Sequence, residues 1–275
     1  MMICIRDLLQ KSSDQDSLLR KPTEVGRFSL DECRTFFHDR RELSCFINPL
    51  ENSNFPPHLT LDFNEGFLSK RHIEKNDDIK EHLDNLLKWL RCNKQRFASL
   101  NETRGEMKKS NDFIGHFPDF LLYRGHLTRI MCTPFEKRDG WKFACQKLND
   151  TIYISEIETE DAKTRRVNRT DKDRLMLYWG RRFEAYMTKP FNGSNKEQPS
   201  SMSRESVVNT NVEYVSVIRT RLNGRHSLVY GAETDCSLPV KTLNPPDCYV
   251  ELKTSRKFSS QRQKENFYRF KVNFV

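Results

Sequence analysis

Apolar residues recur at helical spacing in two stretches of this chain and alternate along several others. Leu83, Leu86, Leu87 and Leu90, with polar residues between them, predict a helix over residues 79–97. Met176, Trp179, Phe183 and Met187 form the stripe of a second predicted helix, Asp171–Met187, whose acidic first residue suits a helix N-terminus. Residues 152–157 partly alternate and read as a strand, as do 141–145, 212–221, 226–235 and 248–253. Asn223-Gly224 signals a hairpin turn between the third and fourth of these. Residues 120–132 are apolar and β-leaning, interrupted by Arg124-Gly125-His126. Pro22, Pro49, Pro56 and Pro57 punctuate residues 21–60, which predicts loops and edge structure there. Residues 98–117 read as a charged connection, 191–206 as a loop, 257–271 as the start of another helix, and 1–20 as a flexible leader.

Composition narrows the class. The 275 residues carry 47 Lys+Arg against 38 Asp+Glu, a net charge of +9. Such a surface favours an acidic partner, nucleic acid being the commonest; a plain basic surface is the alternative. The eight cysteines form no C-x-x-C pair and no cluster with zinc spacing, so reduced thiols are expected. Residues 1–10 are too short and too soon charged for a signal peptide. Apolar runs of about 18 residues are absent, so no membrane span is expected.

The chemistry lies in two acidic pairs. Gly231-Ala232-Glu233-Thr234-Asp235 is followed by Tyr249-Val250-Glu251-Leu252-Lys253, both in predicted strands. Residues two apart on a strand share a face, so Glu233 projects with Asp235 and Glu251 with Lys253. Three carboxylates and an amine suit a Mg²⁺- or Mn²⁺-dependent phosphodiester hydrolase: carboxylates hold hard cations, and the lysine orients water or neutralises phosphate. Glu184 on the second helix could add a ligand, or be a helix-surface residue paired with Arg181 or Lys189. Glu251 and Lys253 could equally be a surface ion pair. Short E-x-K patterns arise by chance roughly once or twice in so charged a chain, and Glu106-Met107-Lys108 reads as a solvated decoy.

Taken together, further segments carry a resemblance. They are Glu24-Val25-Gly26-Arg27-Phe28-Ser29-Leu30, Tyr123-Arg124-Gly125-His126-Leu127-Thr128, Tyr153-Ile154-Ser155-Glu156-Ile157-Glu158-Thr159, Gly180-Arg181-Arg182-Phe183-Glu184 and Val208-Asn209-Thr210-Asn211-Val212, with Thr254-Ser255 extending the E-x-K segment. With the two acidic pairs, this ordered set resembles the DXO family, the decapping exoribonucleases of the Dom3Z/Rai type, over residues 21–271. The resemblance implies an α/β fold, mixed sheets flanked by helices with the active site in a pocket between them, and one nuclease domain over residues 21–275. Glu184 matches the acid of the family's G-Φ-x-Φ-E motif, although here Arg181-Arg182-Phe183 precede it. Glu233 and Asp235 match E-Φ-D, with Thr234 replacing the hydrophobe, and Glu251 and Lys253 match E-Φ-K.

On this resemblance Glu184, Glu233, Asp235 and Glu251, with the Leu252 backbone carbonyl acting through water, form the site of two Mg²⁺ or Mn²⁺ ions, and Lys253 assists catalysis and binds substrate. Arg124, flanked by Tyr123 and Gly125, faces substrate phosphates. Arg34, Glu81 and Val215 fall where the family contacts the 5′ end of its RNA, while His126 is expected to be structural. The implied activity is hydrolysis of the phosphodiester beyond NAD caps and incomplete or unmethylated caps; many members also degrade 5′-monophosphate RNA 5′ to 3′. A different class is open: an RNA-end-binding paralogue without turnover, like the inactive Cutoff-type branch of nuclear complexes. Fungal relatives act with a large 5′–3′ exoribonuclease; animal relatives mostly act alone, and a monomer is expected here. The family implies a nuclear location, with cytoplasm as a second one. Past the segment matching residues 266–271 the family continues through a helix bearing a Gln and further strands, so the C-terminal part of its fold is expected to be missing.

Overall fold

The computed structural model describes residues 19–47, 62–68, 71–97, 117–136, 140–190, 207–239, 243–255 and 257–270. The expected leader up to residue 18, the connection 98–116, its Glu106-Met107-Lys108 and the loop 191–206 lie outside the described residues. In chain order the strands and helices are β1 (Thr23–Leu30), β2 (Phe36–Phe37), β3 (Ser44–Phe46), β4 (His72–Ile73), α1 (Asp84–Cys92), β5 (Phe120–Tyr123), α2 (Arg124–Cys132), β6 (Lys142–Leu148) and β7 (Thr151–Ile157). They continue with α3 (Glu160–Val167), α4 (Asp171–Met187), β8 (Thr188–Pro190), β9 (Val208–Asn209), β10 (Glu213–Leu222), β11 (His226–Glu233), β12 (Cys236–Ser237), β13 (Tyr249–Val250) and α5 (Gln261–Phe270).

The chain forms two compact units, and β1, β10 and β11 run from one into the other. In the first unit the sheet order is β1-β10-β11-β5-β7-β6. β5 lies parallel to both β11 and β7, and β6 closes the edge antiparallel to β7. β10 is buried from Tyr214 through Thr220, and two of its polar members find partners. Arg219 Nε donates to Ser227 Oγ at 3.0 Å, and the Thr220 hydroxyl donates to the Arg20 carbonyl. A strand buried on both faces loses the alternation that would otherwise mark it. Leu19 bridges Leu222 and Arg20 N–H donates to the Arg221 carbonyl at 3.0 Å, so the last two residues of the expected leader are tied to this strand. The β10–β11 hairpin turns where the sequence signals it: Asn223 and Gly224 have φ of 52° and 67°, the left-handed pair that a two-residue turn requires.

The first unit's core gathers on α1. Leu83, Leu86, Trp89 and Leu90 are buried, and Trp89 meets Phe97 edge-on at 6.0 Å. The helix is shorter than the leucine spacing predicts: His82 adopts φ of 44°, and the end at Asn93 passes into a 3₁₀ turn over Lys94–Arg96. Residues 120–132 divide into a four-residue strand and a helix. His126 Nδ1 accepts from Tyr123 N–H at 3.4 Å in the first turn of α2, the structural task expected of this histidine. Burial keeps its proton affinity below the ordinary value.

In the second unit the sheet order is β2-β1-β10-β11, beside a four-stranded sheet β13-β12-β3-β8 and the parallel pair β4-β9. Residues 21–47 thus supply three strands where loops and edges are predicted, while Pro49, Pro56 and Pro57 lie outside the described residues; Phe28 and Leu30 of β1 are core residues. α4 spans the predicted residues because Thr170 caps it: its Oγ1 accepts from Asp173 N–H at 3.2 Å, and Asp173 Oδ2 accepts from Thr170 N–H at 3.0 Å. Its buried residues are Tyr178, Arg182 and Tyr186, whereas Met176 is exposed and Trp179, Phe183 and Met187 are half-buried. Tyr178 Oη donates to the Glu65 carbonyl at 2.6 Å, and the fully buried Arg182 lies over the Tyr186 ring at 4.5 Å. No helix among the described residues is long and apolar enough to cross a membrane.

The two neighbouring leucines of α1 separate its faces. Leu86 is fully buried and Leu87 is 38% exposed. Leu86→Ala costs about 2–5 kcal/mol and Leu87→Ala less than about 1 kcal/mol in urea unfolding of the full chain; equal losses would contradict this orientation.

Candidate active site

Three stretches of the second unit bring the predicted acids together. α4 carries Glu184, the end of β11 carries Glu233, and Asp235 sits in the two-residue link to β12. Glu251, Leu252 and Lys253 follow β13. That strand is two residues long, so Glu251 and Lys253 lie beyond it rather than on the predicted strand over 248–253. They still form a close ion pair with each other.

Asp235 is the most enclosed acid, its side chain 6% exposed. Its Oδ2 accepts from Leu252 N–H at 2.6 Å and lies 4.0 Å from Lys253 Nζ. Burial raises its proton affinity; the Leu252 N–H works against that, and Glu251 adds repulsion. Burial likewise raises Glu184, opposed by Arg181 and reinforced by Asp235. Protein packed around Glu233 has the same effect, opposed by Arg181 and reinforced by Glu213 and Asp235; solvent reaching 44% of the side chain softens it. Burial pushes the Cys236 thiol up to about 12, so at neutral pH it supplies no thiolate.

Two cations stand among these acids. Lys253 stays protonated: desolvation disfavours its charge, but Glu251 and Asp235 outweigh that. Arg181 Nη1 donates to Glu184 Oε2 at 3.0 Å and to Glu233 Oε1 at 3.3 Å. One guanidinium nitrogen thus serves both carboxylates, and they hold it firmly protonated against the cost of desolvation. The pairing of Glu184 with Arg181 that the sequence left open is made, and it extends to Glu233.

Arg34 and Glu81 belong to a second network in the same unit. Arg34, at φ of 60°, sits in a turn whose Asp31 Oδ1 accepts from Cys33 N–H at 2.9 Å and Thr35 N–H at 2.8 Å. Its guanidinium grips Glu81 through Nε and Nη2, while Nη1 reaches the Asn211 carbonyl at 2.7 Å and Glu213 at 2.9 Å. Lys75 Nζ joins Glu81 at 3.0 Å to Glu213 at 3.1 Å. Val215 is buried on β10, at 2% exposure. Tyr123, Arg124 and Gly125 belong to the other unit, at the junction of β5 and α2. The sequence reading did not single out Lys75 or Glu213. For Lys75 no local signal exists; Glu213 stands two positions before Val215, in a strand whose pattern gave no reason to choose it.

In kind, the donors fit a hard divalent cation, since all are carboxylate or carbonyl oxygens. In arrangement, no three Asp, Glu, His or Cys side chains among the described residues stand close enough together to hold one. Arg181 and Lys253 are interposed instead.

Comparison with known proteins decides the family. The profile of the RAI1-like PD-(D/E)XK nucleases matches residues 20–274. The chain belongs to this family. Glu251-Leu252-Lys253 has the form of the (D/E)XK in the family's description. The decapping and exoribonuclease protein of Bos taurus is 36% identical over 254 residues, covering 92% of this chain and 58% of that protein. The decapping nuclease RAI1 of Neurospora crassa is 30% identical, covering 94% of this chain and 58% of its own length. The chain therefore spans less than two thirds of the length of these relatives. The crystal structure of Candida albicans Rai1 has the same mixed α/β fold, with a TM-score of 0.69 at 21% identity over 93% of this chain and 64% of that one.

Asp235 and Arg34 allow separate checks. A carboxyl whose proton affinity is higher folded than unfolded loses stability as pH rises through its folded value. In chelator, Asp235→Asn is therefore expected to raise the melting temperature relative to wild type, by a margin that widens from about pH 4 to neutrality; a constant margin would contradict the burial of that charge. Arg34→Ala leaves Glu81 and Glu213 short of a partner and lowers unfolding stability by about 1–3 kcal/mol, read from urea melts.

Proposed function

We propose that the chain is a metal-dependent hydrolase of RNA 5′ ends, releasing NAD caps and incomplete or unmethylated caps by cleaving the phosphodiester beyond them. The observation that carries this reading is that Glu184, Glu233, Asp235, Glu251 and Lys253 influence one another electrostatically in a chain of the RAI1-like nuclease family. The names of its relatives support the substrate class: the Bos taurus protein is a decapping and exoribonuclease protein, and Candida albicans Rai1 was crystallised with pU5 and Mn²⁺. The net charge of +9 suits an RNA partner.

Glu184, Glu233, Asp235 and Glu251, with the Leu252 carbonyl, would hold Mg²⁺ or Mn²⁺. Bound there, the ion supplies Lewis-acid polarisation of a phosphate and a more acidic water. The chain's own residues do the rest. Lys253, kept cationic by Glu251 and Asp235, places a positive charge where negative charge develops on the phosphate. The buried Leu252 N–H fixes Asp235, so that its carboxylate keeps one orientation. Arg124, in the first unit, would offer RNA phosphates a planar, permanently charged donor.

The test is incubation of the full chain with 5′-labelled NAD-capped RNA and Mn²⁺ or Mg²⁺. NAD release that is abolished by the double substitution Glu233→Ala and Asp235→Ala is expected. A folded preparation that releases nothing, or a double variant that matches wild type, would overturn the reading. Lys253→Ala is expected to slow turnover by about 100-fold or more while RNA affinity moves much less, because its charge acts mainly in the transition state. An equal loss of affinity and rate would assign Lys253 to binding alone.

A further inference from the structure

Arg181 stands at the first hydrophobic position of the motif that ends in Glu184, and its side chain does not behave as a hydrophobe. A single nitrogen of its guanidinium contacts both Glu184 and Glu233. Its place is built in at both ends. Arg181 and Glu184 lie three residues apart on α4, so that contact is local to one helical turn. Glu233 closes the other side from the end of β11. Lys253 stands on the other side of the cluster, its ammonium ion-paired with Glu251 and 4.0 Å from Asp235, but unlike Arg181 it is the lysine of the E-x-K pattern itself.

Charge bookkeeping at the cluster points the same way. Glu184, Glu233, Asp235 and Glu251 bring four negative charges when ionised. Arg181 and Lys253 bring two positive ones, and four minus two leaves two. One divalent cation neutralises that remainder; a second would leave the cluster with an excess of two positive charges in a partly buried place, where uncompensated charge is costly. Removing Arg181 raises the remainder to three and frees the Glu184–Glu233 pair.

We propose that Arg181 is a resident cation of the acidic cluster, occupying the space between Glu184 and Glu233 in place of one divalent ion, so that the chain takes up one divalent ion rather than two. This rests on the metal-dependent reading above and specifies it. The Arg181 contacts are hydrogen bonds from a covalently attached side chain rather than exchangeable coordination, so they bridge Glu184 and Glu233 with no ion present. The consequence is a cluster half-assembled without metal, whose ion uptake is set by a residue of the protein rather than by ion supply alone.

The experiment is Mn²⁺ binding by the full chain, followed by calorimetry and by the electron paramagnetic resonance of free Mn²⁺, for wild type, Arg181→Leu and Arg181→Gln. Arg181→Leu gives the motif its hydrophobe; Arg181→Gln keeps a polar side chain without the charge, and serves if the leucine variant fails to fold. One tight equivalent for wild type and two for the neutral variants are expected, the added ion binding at least tenfold more tightly than any second ion in wild type. Without Mn²⁺ the neutral variants melt below wild type, and Mn²⁺ restores them by a larger shift than it gives wild type. Two equivalents in wild type, or neutral variants with unchanged stoichiometry and affinity, would overturn the role of Arg181 and leave metal dependence standing. No Mn²⁺ binding by any of the three would overturn both.

Discussion

Carboxylates gathered out of bulk water repel one another, at about 4 kcal/mol for unit charges 4 Å apart at an intermediate dielectric. That is a large fraction of the stability of a typical domain, so a fold that concentrates acids must also place cations and N–H donors among them. The second unit is organised by this requirement. Arg181 sits between Glu184 and Glu233, Lys253 beside Glu251 and Asp235, and the Leu252 N–H on Asp235. Arg34 and Lys75 do the same for Glu81 and Glu213. Glu213 also adds to the repulsion felt by Glu233, so the two networks share one electrostatic neighbourhood.

The scaffold that holds the acids is built from short strand ends and one long helix. Glu233 is the last residue of β11, Asp235 lies in the link to β12, and Glu251 follows β13, positions where backbone groups are not all committed to ladder bonds. One such group, the Leu252 N–H, is free to fix Asp235. α4 presents Arg181 and Glu184 while packing Tyr178, Arg182 and Tyr186 into the interior. The buried residues are two tyrosines and an arginine: the tyrosine hydroxyls donate to the Glu65 and Asp62 carbonyls, and the arginine lies over the Tyr186 ring. A helix with such a face is held by particular contacts as well as by apolar area.

Local signals were legible wherever a local cause produced them. The extent of α4 follows from Thr170 and Asp173, which close a capping box, and the β10–β11 turn follows from Asn223-Gly224, which tolerates positive φ. The buried face of α4 was not legible, because Arg182 reads as polar until Tyr186 is seen beneath it, and Met176 reads as core until it is seen in solvent. Residues 120–132 carried one apolar run through two elements, since a four-residue buried strand has too few positions to display a period. In residues 21–60 the prolines outweighed β1, whose Thr-Glu-Val-Gly-Arg-Phe-Ser-Leu does not alternate.

The candidate site divides along the same line. The sequence by itself determined which acids and which lysine would be present, at a spacing and order that place the chain in its family. It also determined that Arg181 replaces a hydrophobe. Only the tertiary structure decided who neutralises whom. Arg181 could have pointed to solvent, and Arg34 finds Glu81 and Glu213 across 47 and 179 positions of chain. Charge pairing depends on separations of a few ångströms, and residues so distant along the chain acquire those separations only when the sheets and α4 are in place.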